Sequence, residues 1–343
     1  MANIYKFNTT HLDTYKGGQG MKSTEIDASS SHDALKKSKW RQFKKNVPLL
    51  SMSLPGAIFM IIFSYIPMTA IVLAFQRHRV TGTFFQSVMA NEWVGLSNFE
   101  LLFRMGDAQL IVRNTVLYNI VFITLGIVVP LIFALALYEI HSRFLSKLFQ
   151  SVLFVPFFLS MMVITNIVFA FLNPNNGMIN AMLYRWGFDT INFYIEPRWW
   201  PFLLPLVNIW RGVGYNMIIF LAAICGFDKS YYEASMIDGA TKMQQITKIT
   251  IPLLRPIIVI LLILAVGGIM SSDFGLFYQV PRGSGLLFPV TQVIDTYIYR
   301  GMRNMGDFSV TAAVAFIQSV VGLILVVGTN LLVRKIDRES AMF

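Results

Sequence analysis

Glu233-Ala234-Ser235-Met236-Ile237-Asp238-Gly239-Ala240, closed by Ile249-Thr250-Ile251-Pro252, is the stretch on which the fold turns. It is polar and helix-forming, and it lies between two long apolar runs, 199–225 and 253–277. Ser230, with Glu233 three residues on, has the spacing of a capping box. A short helix is therefore expected to start with Glu233, Ala234 and Ser235. Gly239 and Ala240 carry almost no side chain, so a neighbouring surface can approach their backbone, and Gly239 can turn the chain between two short helices. Pro252 and Pro256 frame Arg255 at the mouth of the next run, where proline suits a first helical turn.

Working outward, the chain is apolar throughout. Of its 343 residues 55% are hydrophobic and 13% charged, with 29 Phe and a mean hydropathy of +0.59. Soluble domains carry about 25% charged residues, so a membrane protein is expected. Six stretches have spanning character: 49–75, 115–138, 150–172, 199–225, 253–277 and 310–333. Pro55 and Pro67 lie inside the first, Arg211 interrupts the fourth, and Asp273 falls near the far end of the fifth.

Orientation follows from the basic residues. With both termini inside, the inner segments hold 18 Lys and Arg against 9 in the outer loops. Positive charge favours the cytoplasmic side, which puts both termini and the Glu233 loop in the cytoplasm. The outer loops carry Trp93, Trp186, Trp199, Trp200 and Tyr297, read first as interfacial anchors. Residues 1–45 form a basic tail, partly disordered in its Gly- and Ser-rich early part. No apolar run follows Met1 directly, so a conventional cleavable signal peptide is not expected. The Lys36–Lys45 cluster reads as an anchor on anionic headgroups rather than a nucleic-acid site. The remainder, 46–343, reads as one transmembrane domain with a cytoplasmic loop at 228–254.

Several function classes are disfavoured. Cys225 is the lone cysteine, and His11, His32, His78 and His141 lack ligand spacing, so no metal site is expected. No G-x-x-x-x-G-K-[ST] run exists to cradle a phosphate. No catalytic set is identified; Arg211 with Asp273 is too sparse for a membrane-embedded enzyme.

The loop resembles the "EAA" loop of the membrane subunits of bacterial ABC importers, in which Glu-Ala-Ala precedes a Gly by three residues and Ile-x-Leu-Pro follows. Ser235 and Ile251 depart from that pattern. Pro55-Gly56, Trp93-Val94-Gly95-Leu96-Ser97-Asn98-Phe99, Arg113-Asn114-Thr115 and Trp210-Arg211-Gly212-Val213-Gly214-Tyr215 extend the likeness to the oligosaccharide/polysaccharide permease subfamily, over roughly 46–340. The resemblance implies an all-α, six-helix type I importer permease in the bacterial cytoplasmic (inner) membrane, multi-pass among membrane lipid. It implies uptake of glycans, or alternatively of a non-sugar solute. Its implied partners are a second homologous permease subunit, two ATPase subunits and an extracytoplasmic solute-binding protein, with no nucleic acid. No cofactor is expected on this chain; ATP and Mg belong to the partner ATPase. The ATPase-coupling residues it implies are Glu233, Ala234, Ser235, Asp238, Gly239 and Ala240.

For the substrate path, Asn208, Arg211, Gly212 and Tyr215 fall at i, i+3, i+4 and i+7 on one helix face. Resemblance to maltose-type permeases implies that this face touches sugar, with Gly268, Ser272 and Asp273 as the second wall. Trp210, Phe274 and Phe277 are aromatic candidates for a sugar face, or else for lipid or helix packing. Burying Arg at a helix centre costs roughly 2.5–3.5 kcal/mol on insertion scales. Two readings of Arg211 stand: a cavity-facing donor for sugar hydroxyls or a carboxylate, or an internal contact, either an ion pair with Asp273 or hydrogen bonds to backbone carbonyls.

Overall fold

The computed structural model describes residues 46–48, 50–77, 91–104, 106–305 and 308–336. The expected tail 1–45 lies outside them. Among the described residues, five helices are long and apolar enough to cross a membrane: Asn46–Phe75, Ala108–Tyr138, Pro197–Cys225, Lys242–Gly267 and Phe308–Lys335. A sixth crossing is available only as a pair, Arg143–Phe158 and Met161–Leu172, bent by 103°.

The chain divides into two units, Met1–Pro67 and Met68–Phe343. In the first, the described residues from 46 form an apolar helix with exposed side chains and a π-helical turn at Ile61–Tyr65. The second unit carries the candidate site. It begins with a 3₁₀ turn, Thr69–Phe75, and a two-residue antiparallel ribbon of β1 (Gln76–Arg77) with β2 (Glu92–Trp93), Gln76 opposite Trp93. Asn98, at the start of α1 (Ser97–Arg104), ties this corner by donating to Ala74 O and Gln76 O at 2.8 and 3.0 Å.

Then follow α2 (Asp107–Tyr138), α3 (Arg143–Phe154), α4 (Met161–Leu172), α5 (Met178–Arg185) and α6 (Trp200–Cys225). The two short helices α7 (Lys229–Ile237) and α8 (Lys242–Gln245) lead through a π-helical turn into α9 (Ile251–Gly267). The last described helices are α10 (Phe288–Thr291), α11 (Ile294–Arg300) and α12 (Phe308–Ile336).

Helix α6 packs along α2 and against α3. Small residues permit the close crossings, as is usual between helices in lipid. A Cβ on Gly214 would sit 2.2 Å from Leu153 O of α3, and one on Gly267 of α9 would sit 2.1 Å from Val326 Cγ2 of α12. One core cluster gathers Ile164, Trp200, Leu204, Leu276, Phe277 and Val280; another, at the Cys225 end of α6, joins Leu137, Met217, Phe220, Ile224 and Leu254.

Three readings change. The run 150–172 is no single helix: Pro156 sits in a 3₁₀ turn, Val155–Phe158, and Ser160 turns extended (ψ 150°) to cap α4 through its hydroxyl. Proline removes a backbone donor there and the chain bends. The run 253–277 stops as a helix at Gly267, and residues 268–273 leave helical geometry before a π-helical turn, Gly275–Gln279. Of the five aromatics taken as interfacial anchors, Trp93 and Trp186 are exposed, but Trp200 and Tyr297 are buried. Trp200 donates its indole N–H to Phe193 O at 2.7 Å, so it closes a core rather than facing headgroups.

Candidate functional site

Two places gather the residues singled out from the sequence. The first is the elbow between α6 and α9. Asp228, not Ser230, caps α7: its carboxylate accepts from Ser230 N–H at 2.9 Å, which holds the carboxyl below its ordinary range. The helix therefore begins at Lys229, a turn earlier than expected, and Glu233, Ala234 and Ser235 fall in its middle. Aspartate succeeds as N-cap because its side chain satisfies an N–H that the helix leaves orphaned.

The C-terminal end of α7 is a Schellman motif. Ala240 N–H donates to Ser235 O at 2.9 Å, Gly239 N–H donates to Met236 O at 3.1 Å, and Gly239 adopts φ +75°. Gly239 thus turns the chain between two helices, as its position implied. Thr241 then caps α8 in a full capping box with Gln244. The buried Gln245 amide donates to Ser235 Oγ at 2.9 Å, so the serine that replaces alanine in the triplet staples α7 to α8. Tyr232 Oη and Thr250 Oγ1 are 3.0 Å apart, and Lys242 pairs with Glu139 at 3.1 Å, joining the elbow to the end of α2.

What the elbow presents outward is distinctive. Glu233, Ala234, Asp238 and Gly239 are exposed, and so are Met236, Ile237 and Met243, with Ile237 at 88%. An apolar cluster rimmed by polar residues is the kind of surface that suits a protein contact. Hydropathy reading passed over Met236, Ile237 and Met243; their signal was apolar side chains at positions that no apolar stripe explains.

The second place is the break after α9, facing the middle of α6. Arg211 Nη1 donates to Asp273 Oδ2 at 2.6 Å, so the ion-pair reading of Arg211 describes the structure. The side chains retain 31% and 39% exposure, so the pair is not sealed in a core. Asp273 Oδ1 also accepts from Leu276 N–H at 3.1 Å. Arg211 Nε and Ser272 Oγ are buried without a hydrogen-bond partner.

The break itself is held by amides from distant helices. Asn119 of α2 donates to Ile269 O and Ser271 O, both at 2.9 Å. Gln318 of α12 donates to Met270 O at 3.0 Å and to Ser271 Oγ at 3.1 Å. Ser272 N–H donates to Asp295 Oδ2 of α11 at 2.6 Å. Backbone that leaves a helix at membrane depth needs such partners. Asn119, Asp295 and Gln318 were not singled out from sequence, because a polar residue on an apolar helix does not say which carbonyl it will meet.

The other path candidates separate. Trp210 and Tyr215 are exposed, and Tyr215 stacks on Phe157 with ring centroids 4.8 Å apart. Asn208 is half-buried and Gly212 borders open space. Gly268 ends α9, its N–H meeting Leu264 O and Ala265 O. Phe274 packs in a trio with Tyr278 and Tyr299. Phe277 is in the core against Tyr118, which removes it as a sugar-facing ring. Met270 turns the other way into an apolar cavity of about 610 Å³, lined with Ile111, Val112, Ile294, Val314 and Ile317, which does not include the ion pair.

Comparison with known proteins agrees with this geometry. Residues 126–338 match the family described as the binding-protein-dependent transport system inner membrane component. The polygalacturonan/rhamnogalacturonan transport system permease protein YteP of Bacillus subtilis (strain 168) is 34% identical, over 85% of this chain and 89% of that protein. Protein LplB of the same organism is 31% identical, over 90% of this chain and 92% of its own length. A solved chain of a bacterial ABC transporter involved in the import of the acidic polysaccharide alginate is 29% identical, with a TM-score of 0.79, over 88% of this chain and 99% of that one. The same likeness holds, at 30% identity and a TM-score of 0.78, to a bacterial alginate ABC transporter in complex with alginate pentasaccharide-bound periplasmic protein. The fold is thus shared with solved importer chains, and the chain belongs to the family of binding-protein-dependent transport system inner-membrane components.

Proposed function

We propose that this chain is one permease subunit of an ATP-driven importer for oligosaccharides or polysaccharide fragments. It forms half of the translocation path in the bacterial cytoplasmic membrane, beside a second homologous permease subunit. Both termini face the cytoplasm, and 46–343 acts as the membrane domain behind a basic tail. Two separate ATPase subunits carry ATP and Mg and dock on the α7–α8 elbow; this chain binds no cofactor. A solute-binding protein delivers the glycan from outside. The named solutes of similar proteins include alginate and polygalacturonan, so glycan fragments, acidic ones first, are the class to try.

The observation that carries this reading is the elbow: a rigidly capped turn whose Gly239, Met236 and Ile237 are offered outward while Ser235 and Lys242 tie it to the helices. Closure of the ATPases on ATP moves the elbow, and the bonds to α8 and α2 carry that motion into the bundle.

Pull-down of the ATPase by Glu233→Ala and Gly239→Leu variants tests it, together with uptake of radiolabelled glycans by the complete importer in vesicles. Both variants should insert normally and lose ATPase binding. Unchanged binding and uptake in both would remove the coupling role.

A further inference from the structure

The cavity of about 610 Å³ behind the break has no part in the contacts around Arg211. Its floor is apolar and buried: Ile111 of α2, Met270 of the break, Ile294 of α11 and Val314 of α12. The polar side chains in its lining are Gln109, Arg113 and Gln318. Gln318 spends its amide on the break, at Met270 O and Ser271 Oγ. Gln109 and Arg113 are exposed and lie four residues apart, one turn along α2, so they form the rim. Among the described residues no carboxylate pairs with Arg113, and its one hydrogen bond runs from Nη2 to Asn114 Oδ1 at 3.3 Å. The cavity is lined from the opening turns of α2 and α12, at the end of α2 remote from the Glu139–Lys242 contact with the elbow.

That position decides what can fill it. Near the end of two spanning helices, the surrounding medium is acyl chain with headgroups just beyond. Water finds too few polar partners on such a floor, and a sugar would leave its hydroxyls unbonded there. An acyl chain gives up no hydrogen bond on entering. The guanidinium at the rim offers a fork of donors that suits a phosphate, and basic pockets between spanning helices take anionic headgroups.

We propose that this cavity is a binding site for one anionic glycerophospholipid, with an acyl chain on the Ile111–Met270–Ile294–Val314 floor and the phosphate on Arg113. The chain packs against Met270, whose carbonyl Gln318 holds, so the bound lipid supports the break from the side away from the Arg211–Asp273 pair. The site needs only the membrane around this family of proteins and does not depend on the solute carried.

The test uses the complete importer in phosphatidylcholine vesicles. These contain a trace of either phosphatidylglycerol or phosphatidylcholine with a photoactivatable group at the end of one chain. In phosphatidylcholine the same phosphate carries a choline cation, which competes with Arg113 for it. After illumination, peptides spanning 108–113 and 314–318 should be labelled about tenfold more by the phosphatidylglycerol probe, the fold-change of one charge-assisted hydrogen bond. Arg113→Gln should bring the two probes level. Ile317→Trp, which fills the cavity from α12, should remove labelling by both, with assembly checked by gel filtration. Glycerol phosphate, which has the anion without the chains, should not compete. Equal labelling by the two probes in the wild type overturns the proposal and needs no variant to read. So does labelling that survives Ile317→Trp, or that glycerol phosphate displaces. Absence of lipid label, with a photo-crosslinker placed at residue 317 capturing the second permease subunit instead, overturns it in favour of a protein contact.

Discussion

Gly212 and Gly214 lie two residues apart on α6, and alanine should move stability in opposite directions at the two. Both positions are helical, so each Gly→Ala change gains roughly 0.8–1.0 kcal/mol of helix propensity. At Gly212 nothing lies within 4 Å of the new Cβ, and that gain is expected in full. At Gly214 the Cβ would sit 2.2 Å from Leu153 O, 2.6 Å from Leu153 C and 2.6 Å from Phe154 Cα. All three are backbone atoms of α3, so no side chain can rotate away and the helices must part. Overpacking of a well-fitted contact typically costs 1–3 kcal/mol, and an all-backbone clash belongs at the upper end. The net expectation is a loss of about 2 kcal/mol for Gly214→Ala against a gain of about 1 kcal/mol for Gly212→Ala, taking the propensity and overpacking magnitudes together. Thermal unfolding of the detergent-solubilised importer, followed by a thiol-reactive or intrinsic-fluorescence signal, reads both. Equal melting temperatures for the two variants, or a more stable Gly214→Ala, would refute the close α3–α6 contact and the account of Gly214 built on it.

Further outcomes follow from the same geometry. Asn119→Leu removes the donor shared by Ile269 O and Ser271 O, and leaving such groups unsatisfied costs about 1–3 kcal/mol each where they are buried; the melting temperature should fall and uptake with it, and unchanged values of both would show that the break does not need this amide. Ser235→Ala strips Gln245 of its 2.9 Å acceptor and should cost about 1 kcal/mol; ATPase binding should weaken without loss of insertion, measured by pull-down from solubilised membranes. The Asp228 cap is present while its carboxylate is charged: the folded-state value is depressed by Ser230, so stabilisation holds above roughly pH 4 and is lost as pH falls through that lower value. Amide exchange at Ser230 should accelerate below that point in the wild type and be fast and pH-insensitive, after correction for intrinsic exchange, in Asp228→Ala. Purified alone, the chain should not turn over ATP, since it has no phosphate-cradling loop; turnover abolished by a point change in this chain would contradict that.

Much of the molecule was legible from local chemistry. The elbow's Glu, Gly and Pro positions and the apolar runs around it depend on neighbours in sequence, and helix capping, glycine turns and hydropathy are local effects. Even there, Asp228 and Ser230 both offered a capping oxygen, and only the backbone geometry chose Asp228. Averages over apolar windows hid the rest. They ran through Ser160, where the chain bends by 103°, and through 268–273, where helix gives way to bonded loop, because hydropathy reports transfer into lipid and not the path of the backbone. Trp200 was read as an interface residue from its place near a span end, yet the fold closes a core over it. Arg211 announced a partner by its charge alone; that Asp273, 62 residues away, provides it was one of two open readings until the helices were packed. Asn119, Asp295 and Gln318 had no signal at all. A side-chain amide or carboxylate in a span states only that it needs a hydrogen bond, and which distant backbone group supplies it is decided by tertiary packing, since that packing is what brings the two to within 3 Å or so.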